Sequence, residues 1–192
     1  MIRRLYDWTI SLSGRPHALW ALAAVAFVES SVFPLPPDLL MIPIVLALPS
    51  RAWKAAAVAT AASVIGGCLG YAIGALLFQS IGQPLIEFYG KADAMARFNA
   101  YFNAWGAWAV LIAGVTPFPY KVITIMSGWT GLSLPVFIVA SVIARGLRFF
   151  VVAALLWKFG APIRIFIEKY LGLLFTVFVV LLVGGFYLLR YL

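Results

Sequence analysis

The chain has 192 residues, of which 65% are hydrophobic and only 10% are charged, and its formal net charge at pH 7 is +8. A soluble domain typically carries about 25% charged residues, so this composition argues against a soluble fold and against a disordered chain. The basic excess is typical of residues that flank membrane spans, and we expect no nucleic-acid partner. The sequence therefore predicts a single all-α membrane domain of roughly four to six helical segments, at about 20 residues per span.

The first predicted element, residues 1–16, is an interfacial helix with arginines and aromatic residues at near-helical spacing. Two apolar runs follow, separated by Phe33-Pro34-Leu35-Pro36-Pro37-Asp38. The second run is too short to cross a bilayer and the first is borderline. We predict that residues 17–49 form a re-entrant hairpin with its tip at Pro34 and Pro36. The alternative is one ordinary span followed by an interfacial loop.

Residues 52–78 have the length and composition of a transmembrane helix. Small residues recur at every fourth position, including Gly66, Gly70 and Gly74, and this spacing lets helix backbones approach closely in lipid. We expect the glycines to pack against other helices of the same chain, with a dimer face as the alternative. Residues 79–104 are polar with interleaved aromatic residues, which predicts an amphipathic connector at an interface.

A second short apolar run ends at Thr116-Pro117-Phe118-Pro119-Tyr120-Lys121 and is followed by another short run. We predict a second re-entrant hairpin over residues 105–132, with its tip at Pro117 and Pro119. Three further segments follow, namely a transmembrane helix, a short amphipathic link and a last transmembrane helix, at residues 134–158, 159–169 and 171–191.

The two proline-containing breaks match at a constant offset of 83 residues, since Val32 to Asp38 corresponds to Val115 to Lys121. Each break precedes a short apolar run and then a full span. A hairpin returns to its own side and the next span crosses, so the second unit starts on the opposite face. The sequence thus predicts an inverted repeat, typical of transporters, with the substrate site where the broken helices meet near the midplane.

The basic residues favour this topology, because they concentrate on the cytoplasmic side when the N-terminus is placed there. The residues on that side are Arg3, Arg4, Arg15, Arg51, Lys54, Lys158, Arg164 and Lys169. Those outside are Lys91, Arg97 and Arg190. The ordinary-span alternative would move Arg51 and Lys54 outside and weaken the bias.

Five charged residues remain at membrane depth, where each costs roughly 2.5–3.5 kcal/mol on insertion scales. Arg145 and Arg148 are three apart and share a helix face, which suits phosphate recognition, and with Lys121 they are the predicted headgroup-binding residues. Glu29 and Asp38 could carry a proton across. The structural alternative is a set of ion pairs, Asp38 with Lys121 and Glu29 with an arginine.

The repeat distinguishes the two acids. The residue equivalent to Asp38 is Lys121, which favours an ion pair between them. The residue equivalent to Glu29 is Ile112, so we favour the proton-carrying role for Glu29. Catalytic chemistry has little support, because the chain has one histidine, His17, and one cysteine, Cys68, and no Gly-x-Ser-x-Gly motif. We expect neither an enzyme nor a metal or cofactor.

These residues resemble the DedA family, also called SNARE-associated or VTT-domain membrane proteins, over roughly residues 17–160. The resemblance rests on Glu29 before Pro34-Leu35-Pro36-Pro37-Asp38, on Gly66-Gly67-x-x-Gly70-Tyr71-x-x-Gly74 and on the second proline break. The second break, together with Ala144-Arg145-Gly146-Leu147-Arg148-Phe149-Phe150, is similar to the YqaA-type branch.

The resemblance implies two re-entrant hairpins in an inverted repeat and the movement of lipids between leaflets. Undecaprenyl phosphate and phosphatidylethanolamine are among the lipids implicated in the family, as is the proton-motive force. Glu29 and Asp38 match its acidic motif by position. Its second motif usually has an arginine on either side of the proline, whereas here Ala113 or Gly114 stands at the earlier place and Lys121 near the later one.

The sequence is therefore interpreted as a multi-pass lipid transporter of the bacterial inner membrane, similar to a flippase or scramblase. Its partner would be a membrane phospholipid or undecaprenyl phosphate, with protons as a coupling ion. Two alternatives stay open. One is a proton- or ion-coupled exchanger of a small solute, and the other is a non-catalytic membrane scaffold.

Overall fold

The computed structural model describes three stretches of backbone, residues 17–32, 36–116 and 119–188. Side chains are described within them up to Gly160, apart from Leu85, and at Pro162. Several predictions lie outside the described residues, namely the interfacial helix of residues 1–16, the tip residues Pro34 and Pro117, and the chain end at 189–192.

Every regular element in these stretches is helical, so the predicted all-α fold is confirmed. The α-helices in chain order are α1 (Ala18–Ser31), α2 (Asp38–Ala47), α3 (Ala52–Leu77), α4 (Gln83–Phe88), α5 (Ala92–Val115), α6 (Tyr120–Trp129) and α7 (Leu134–Leu188). A 3₁₀ turn, Pro49–Arg51, precedes α3, and a π-helical turn, Phe78–Gly82, follows it.

Helix length separates two kinds of element. Helix α1 has 14 residues, and α2 and α6 have 10 each. At about 1.5 Å per residue these helices measure roughly 21 and 15 Å, less than the ~30 Å hydrocarbon core of a bilayer. Two helical runs, Pro49–Phe88 and Leu134–Gly160, are long and apolar enough to cross a membrane. The short helices flank the proline breaks because proline and the residue before it resist helical continuation.

The element boundaries recur along the chain. The ends of α1 and α5 are 84 residues apart, from Ser31 to Val115. The starts of α2 and α6 are 82 apart, and so are the starts of α3 and α7. These separations agree with the sequence offset of 83 to within one residue. The end of α1 and the starts of α2 and α3 therefore correspond to the end of α5 and the starts of α6 and α7.

The connector differs from the prediction. The boundary expected between residues 104 and 105 falls inside α5, which continues without interruption from Ala92 to Val115. The expected boundary followed a change from polar to apolar residues. That change alters the surroundings of the helix, but it introduces no proline that would end it. Gly106 lies inside α5, where it packs closely against Leu132.

The chain bends where the link at residues 159–169 is predicted to begin, because α7 comprises two helices joined across a kink at Phe159. Helix α7 has one non-helical residue, Phe159, with φ −119° and ψ 20°, and its backbone is otherwise helical through Leu188. Pro162 causes the kink because it has no N–H to donate to the carbonyl of Lys158 and its ring crowds the preceding turn.

Helix α3 is central and packs against α1, α6 and α7, while α7 also contacts α2 and α5. Two apolar clusters result. The first joins α1, α2, α3 and α7 through buried residues such as Leu22, Met41 and Phe149. The second joins α5, α6 and α7 through residues such as Val110 and Phe137.

Candidate functional site

A layer of buried polar side chains separates the two apolar clusters. Along α7, Arg145 lies between Ala140 of the second cluster and Phe149 of the first. Along α3, Ser63 follows Ala59 of the first cluster by one turn. Arg145 is 1% exposed and Ser63 is 0% exposed, so both are fully enclosed by protein.

Arg145 belongs to a closed ring of hydrogen bonds. Its Nη2 donates to Glu29 Oε2 at 2.8 Å and its Nε donates to Ser63 Oγ at 2.6 Å. Ser30 Oγ donates to the same Glu29 Oε2 at 3.1 Å, and the Ser30 and Ser63 hydroxyl oxygens are 2.6 Å apart. Because Ser30 uses its proton for Glu29, Ser63 must donate to Ser30. The ring thus joins α1, α3 and α7 around an ionised pair.

Aromatic rings enclose the Arg145 guanidinium as well. Its Cζ lies 4.8 Å from the centroid of the Tyr120 ring and 4.7 Å from that of Phe149, within the range of cation–π attraction. The Tyr120 hydroxyl donates to Ser141 Oγ. Ser141 shares the helix face of the two arginines, yet its contact is with Tyr120. Arg145 is therefore held by its hydrogen bonds and by the two rings.

Arg148 is more open and joins the two breaks. Its Nη2 donates to Asp38 Oδ2 at 2.6 Å, and its Nη1 donates to the carbonyl oxygen of Thr116 at 3.1 Å. The Arg148 and Asp38 side chains are 22% and 23% exposed. The other carboxylate oxygen, Asp38 Oδ1, is buried and accepts no hydrogen bond from any group that the structure describes.

The expected pair of Asp38 with Lys121 is not the one the structure shows. Asp38 pairs with Arg148, and Lys121 Nζ donates to the carbonyl oxygen of Val32 at 3.2 Å. That carbonyl lies at the C-terminal end of α1, where terminal carbonyls lack helical partners and the helix dipole attracts a cation. The pairing of Glu29 with an arginine is present, and Arg145 supplies it.

Lys121 and Arg148 each donate a hydrogen bond to a carbonyl oxygen at the end of the helix that precedes a break. Lys121, at the start of α6, donates to the end of α1, and Arg148, on α7, donates to the end of α5. Each cation comes from the second half of the chain, and Arg148 also pairs with Asp38 from the first half. The structure therefore brings together the helix ends that flank the two breaks. Of the tip prolines that are described, Pro36 is exposed and Pro119 is half-buried, directly before α6.

Close backbone contacts of α3 hold the layer in place. A Cβ at Gly66 would overlap the carbonyl oxygen of Phe27 in α1, and one at Gly70 would overlap Oγ1 of Thr124 in α6. A Cβ at Gly74 would meet the α6 backbone. Thr124 Oγ1 also donates to the carbonyl of Ser30, at 3.1 Å. The three glycines thus lie at contacts within the chain, beside the polar layer.

The hydroxyl groups of the ring were not anticipated from the sequence. Ser63 lies three residues before Gly66, on the same helix face as the glycines, so that face could have indicated it. Ser30 follows Glu29 directly, but adjacency does not tell which way a side chain points. Among the described residues, no group of three histidine, cysteine, aspartate or glutamate side chains is placed to hold a metal ion.

Comparison with known proteins identifies the family. The model of the VTT domain matches residues 35–158, which is more than half of the chain. A protein of Haemophilus influenzae and one of Histophilus somni, both described as uncharacterized, are each 36% identical to this chain over 168 residues. The alignments cover 85% of this chain and 87% of each relative. No solved structure matches. Because the family match covers residues 35–158, which include Asp38, Lys121, Arg145 and Arg148, and so spans more than half of the chain, the chain belongs to the VTT-domain (DedA) family of membrane proteins.

Proposed function

We propose that the protein is a multi-pass transporter of the bacterial inner membrane that moves a lipid headgroup between leaflets while the acyl chains stay in the bilayer. The observation that carries the proposal is Arg148, a partly exposed guanidinium held between the two helix breaks and paired with a carboxylate. A phosphate can replace that carboxylate, because a guanidinium binds either group with the same pair of donors.

The two arginines have different roles in this proposal. Arg145 is 1% exposed, and its hydrogen bonds and ring contacts hold it in the layer. Withdrawing it towards a ligand would leave the Glu29 carboxylate without its countercharge and Ser63 Oγ without the N–H that it accepts from Arg145. Arg148 has a smaller cost of rearrangement, because its side chain and that of Asp38 are both partly exposed. Arg148 therefore binds the headgroup together with Lys121, and Arg145 positions the helices.

The route across the membrane requires the re-entrant arrangement. In the proposal α1 with α2, and α5 with the following α6, form two re-entrant hairpins in an inverted repeat. The short lengths of α1, α2 and α6, the recurrence of helix boundaries and the contacts between the breaks support it. Exposed apolar side chains on the long helices, among them Ile65, Leu76, Ile143 and Leu147, would face the lipid.

Asp38 is the better candidate for proton coupling. Glu29 was favoured because its equivalent, Ile112, carries no charge, but Arg145 provides its countercharge from α7. When a phosphate occupies Arg148, Asp38 loses its partner, and a carboxylate without a countercharge is stabilised by taking up a proton. Headgroup binding and protonation of Asp38 would then occur together, which links lipid movement to a pH gradient.

Purified protein in vesicles with a panel of headgroup-labelled lipids tests the proposal. Arg148→Ala should slow lipid movement at least tenfold, and Arg148→Lys should slow it less, because lysine keeps the charge but not the planar pair of donors. Lys91→Ala removes an exposed cation elsewhere and serves as the control. In Asp38→Asn, acceleration by a pH gradient should disappear while passive exchange remains.

The same assay separates the alternatives. If the protein is a scaffold, the wild type should move none of the lipids. The closed ring around Arg145 would hold the helices of a scaffold together equally well. A solute exchanger would leave lipids unmoved but dissipate a gradient of a small anion. Unchanged lipid movement in Arg148→Ala, at wild-type expression and thermal stability, would refute the headgroup role of this residue.

A further inference from the structure

Three aromatic rings form an exposed platform at one end of the long helices. The Trp53 ring, in the first turn of α3, stacks on Phe150 of α7 with centroids 6.1 Å apart and planes at 25°. The centroid of the Trp157 ring also lies 6.1 Å from the centroid of the Trp53 ring. The three side chains are 46%, 39% and 54% exposed. The rings order one another, yet each still presents apolar surface outwards.

Basic side chains accompany this platform. Arg51 ends the 3₁₀ turn that packs on α7, Lys54 follows Trp53, and Lys158 follows Trp157. Lys158 Nζ lies 5.4 Å from the centroid of the Phe159 ring. None of these three cations forms an ion pair with an acidic side chain in the described part of the chain, where both ion pairs belong to the polar layer. Lys54 and Lys158 thus each directly follow a tryptophan of the platform in the sequence, and both side chains are exposed.

We propose that this basic-aromatic surface, made of Arg51, Trp53, Lys54, Phe150, Trp157 and Lys158, is a binding site for an anionic phospholipid that is not transported. Tryptophan rings prefer the depth of the headgroups, so the platform would lie against the glycerol region and the upper acyl chains. The cations would hold the phosphate, and an anionic headgroup is favoured over a zwitterionic one because it offers net charge to bases that have no acidic partner among the described side chains.

The lysines of the basic-aromatic surface are separate from the headgroup site, whereas its Phe150 lies only two residues beyond Arg148 on α7. Lys158 is ten residues beyond Arg148 on α7, which corresponds to about 15 Å along the helix. Lys54 precedes Ser63 of the polar layer by nine residues on α3, which is a similar distance. The first apolar cluster fills the space between, with Ala56 and Ala153 among its buried residues. A lipid on this surface would therefore bind whether or not lipids are transported.

Native mass spectrometry of the purified full chain tests the site, with phosphatidylglycerol and phosphatidylcholine as probes. We expect the wild type to retain phosphatidylglycerol at least tenfold more strongly than phosphatidylcholine. Lys54→Gln with Lys158→Gln should abolish that preference. Lys91→Gln with Arg97→Gln removes the same charge from other exposed positions, in and before α5, and should keep it. Trp53→Leu should weaken retention of both lipids.

Equal retention of the two lipids by the wild type would overturn the proposal, and so would an unchanged preference in the Lys54→Gln, Lys158→Gln variant. All substituted lysines are exposed, so a folding defect is not expected, and measuring the melting temperature of each variant without lipid would check this. Arg148→Ala should keep the preference. Its loss in Arg148→Ala alone would assign the anionic lipid to the headgroup site and reject the separate surface.

Discussion

Arg145 retains a charge inside an apolar protein because partners from two other helices meet its donors. Its ring with Glu29, Ser30 and Ser63 has one consistent set of donors and acceptors. A buried polar network of this kind is stabilising only when every member is satisfied. The hydroxyl of Ser63 is consequently a required member of the ring, as the carboxylate of Glu29 is.

We expect Ser63→Ala to destabilise the protein by about 1–3 kcal/mol, because the Nε of Arg145 loses its acceptor in a buried site. Thr60→Ala, one turn earlier, is the matched control, since its hydroxyl only donates to the carbonyl of Ala56 within the same helix. Thermal unfolding in detergent should show a clear fall in melting temperature for Ser63→Ala and a small change for Thr60→Ala. Equal melting temperatures would argue against the ring as a stabilising unit.

The sequence identified the charged members of the layer but not all of their partners. Charged residues are rare at membrane depth, so five could be recognised from their positions within or between the apolar segments. They are Glu29, Asp38, Lys121, Arg145 and Arg148. The pairing of Asp38 with Lys121 was inferred from the repeat, and it is wrong because α7 brings Arg148 between the breaks. Hydroxyl side chains are common in membrane helices, and although the glycine face of α3 could indicate Ser63, nothing in the sequence pairs it with Ser30.

At the scale of helices, the clustered prolines of the two breaks indicate helix ends, whereas the single Pro43 lies inside α2 and the change in polarity near residue 105 marks no boundary. The breaks after α1 and before α6 follow from proline, which limits both its own backbone and that of its predecessor. The single helix from Ala92 to Val115 was predicted as two elements because its residues change from polar to apolar. Polarity reports what surrounds a helix, whereas continuity depends on backbone hydrogen bonds that polar and apolar residues make equally well.

Adjacent glycines in α3 give a sharp test of close helix contact. We expect Gly66→Ala to lower the melting temperature strongly, because the added Cβ would overlap the backbone of Phe27, which cannot move without shifting α1. Gly67→Ala should be tolerated, since its Cβ would lie 3.4 Å from the Phe137 and Thr124 side chains, an ordinary contact distance.

Both substitutions have the same effect on helix propensity, so the difference between them isolates packing. Thermal unfolding of the two variants in the same detergent provides the measurement. If Gly67→Ala proved as destabilising as Gly66→Ala, the close approach of α1 and α3 at Phe27 would not be the reason for glycine here.

For the whole molecule, the topology can be tested with single cysteines in a Cys68→Ala background. In the proposed inverted repeat, Lys54→Cys should react from the cytoplasmic side and Lys91→Cys from the opposite side. Both positions are exposed in the structure, so access by a membrane-impermeant reagent depends on sidedness rather than burial. Reaction of Lys54→Cys from the outside alone would favour an ordinary first span and exclude the first re-entrant hairpin.

The ring around Arg145 also sets an order of events during biosynthesis. Glu29 and Arg145 are 116 residues apart, so the acid leaves the ribosome long before its partner is made. At about 5–20 residues per second the interval is on the order of 10 s. Through that interval Glu29 has to be protonated, hydrated or held by the insertion machinery, because a carboxylate without a countercharge is costly in hydrocarbon. We therefore expect α1 to insert reversibly until α7 has been synthesised. A chain truncated before Arg145 should leave α1 accessible to the quality-control proteases of the membrane.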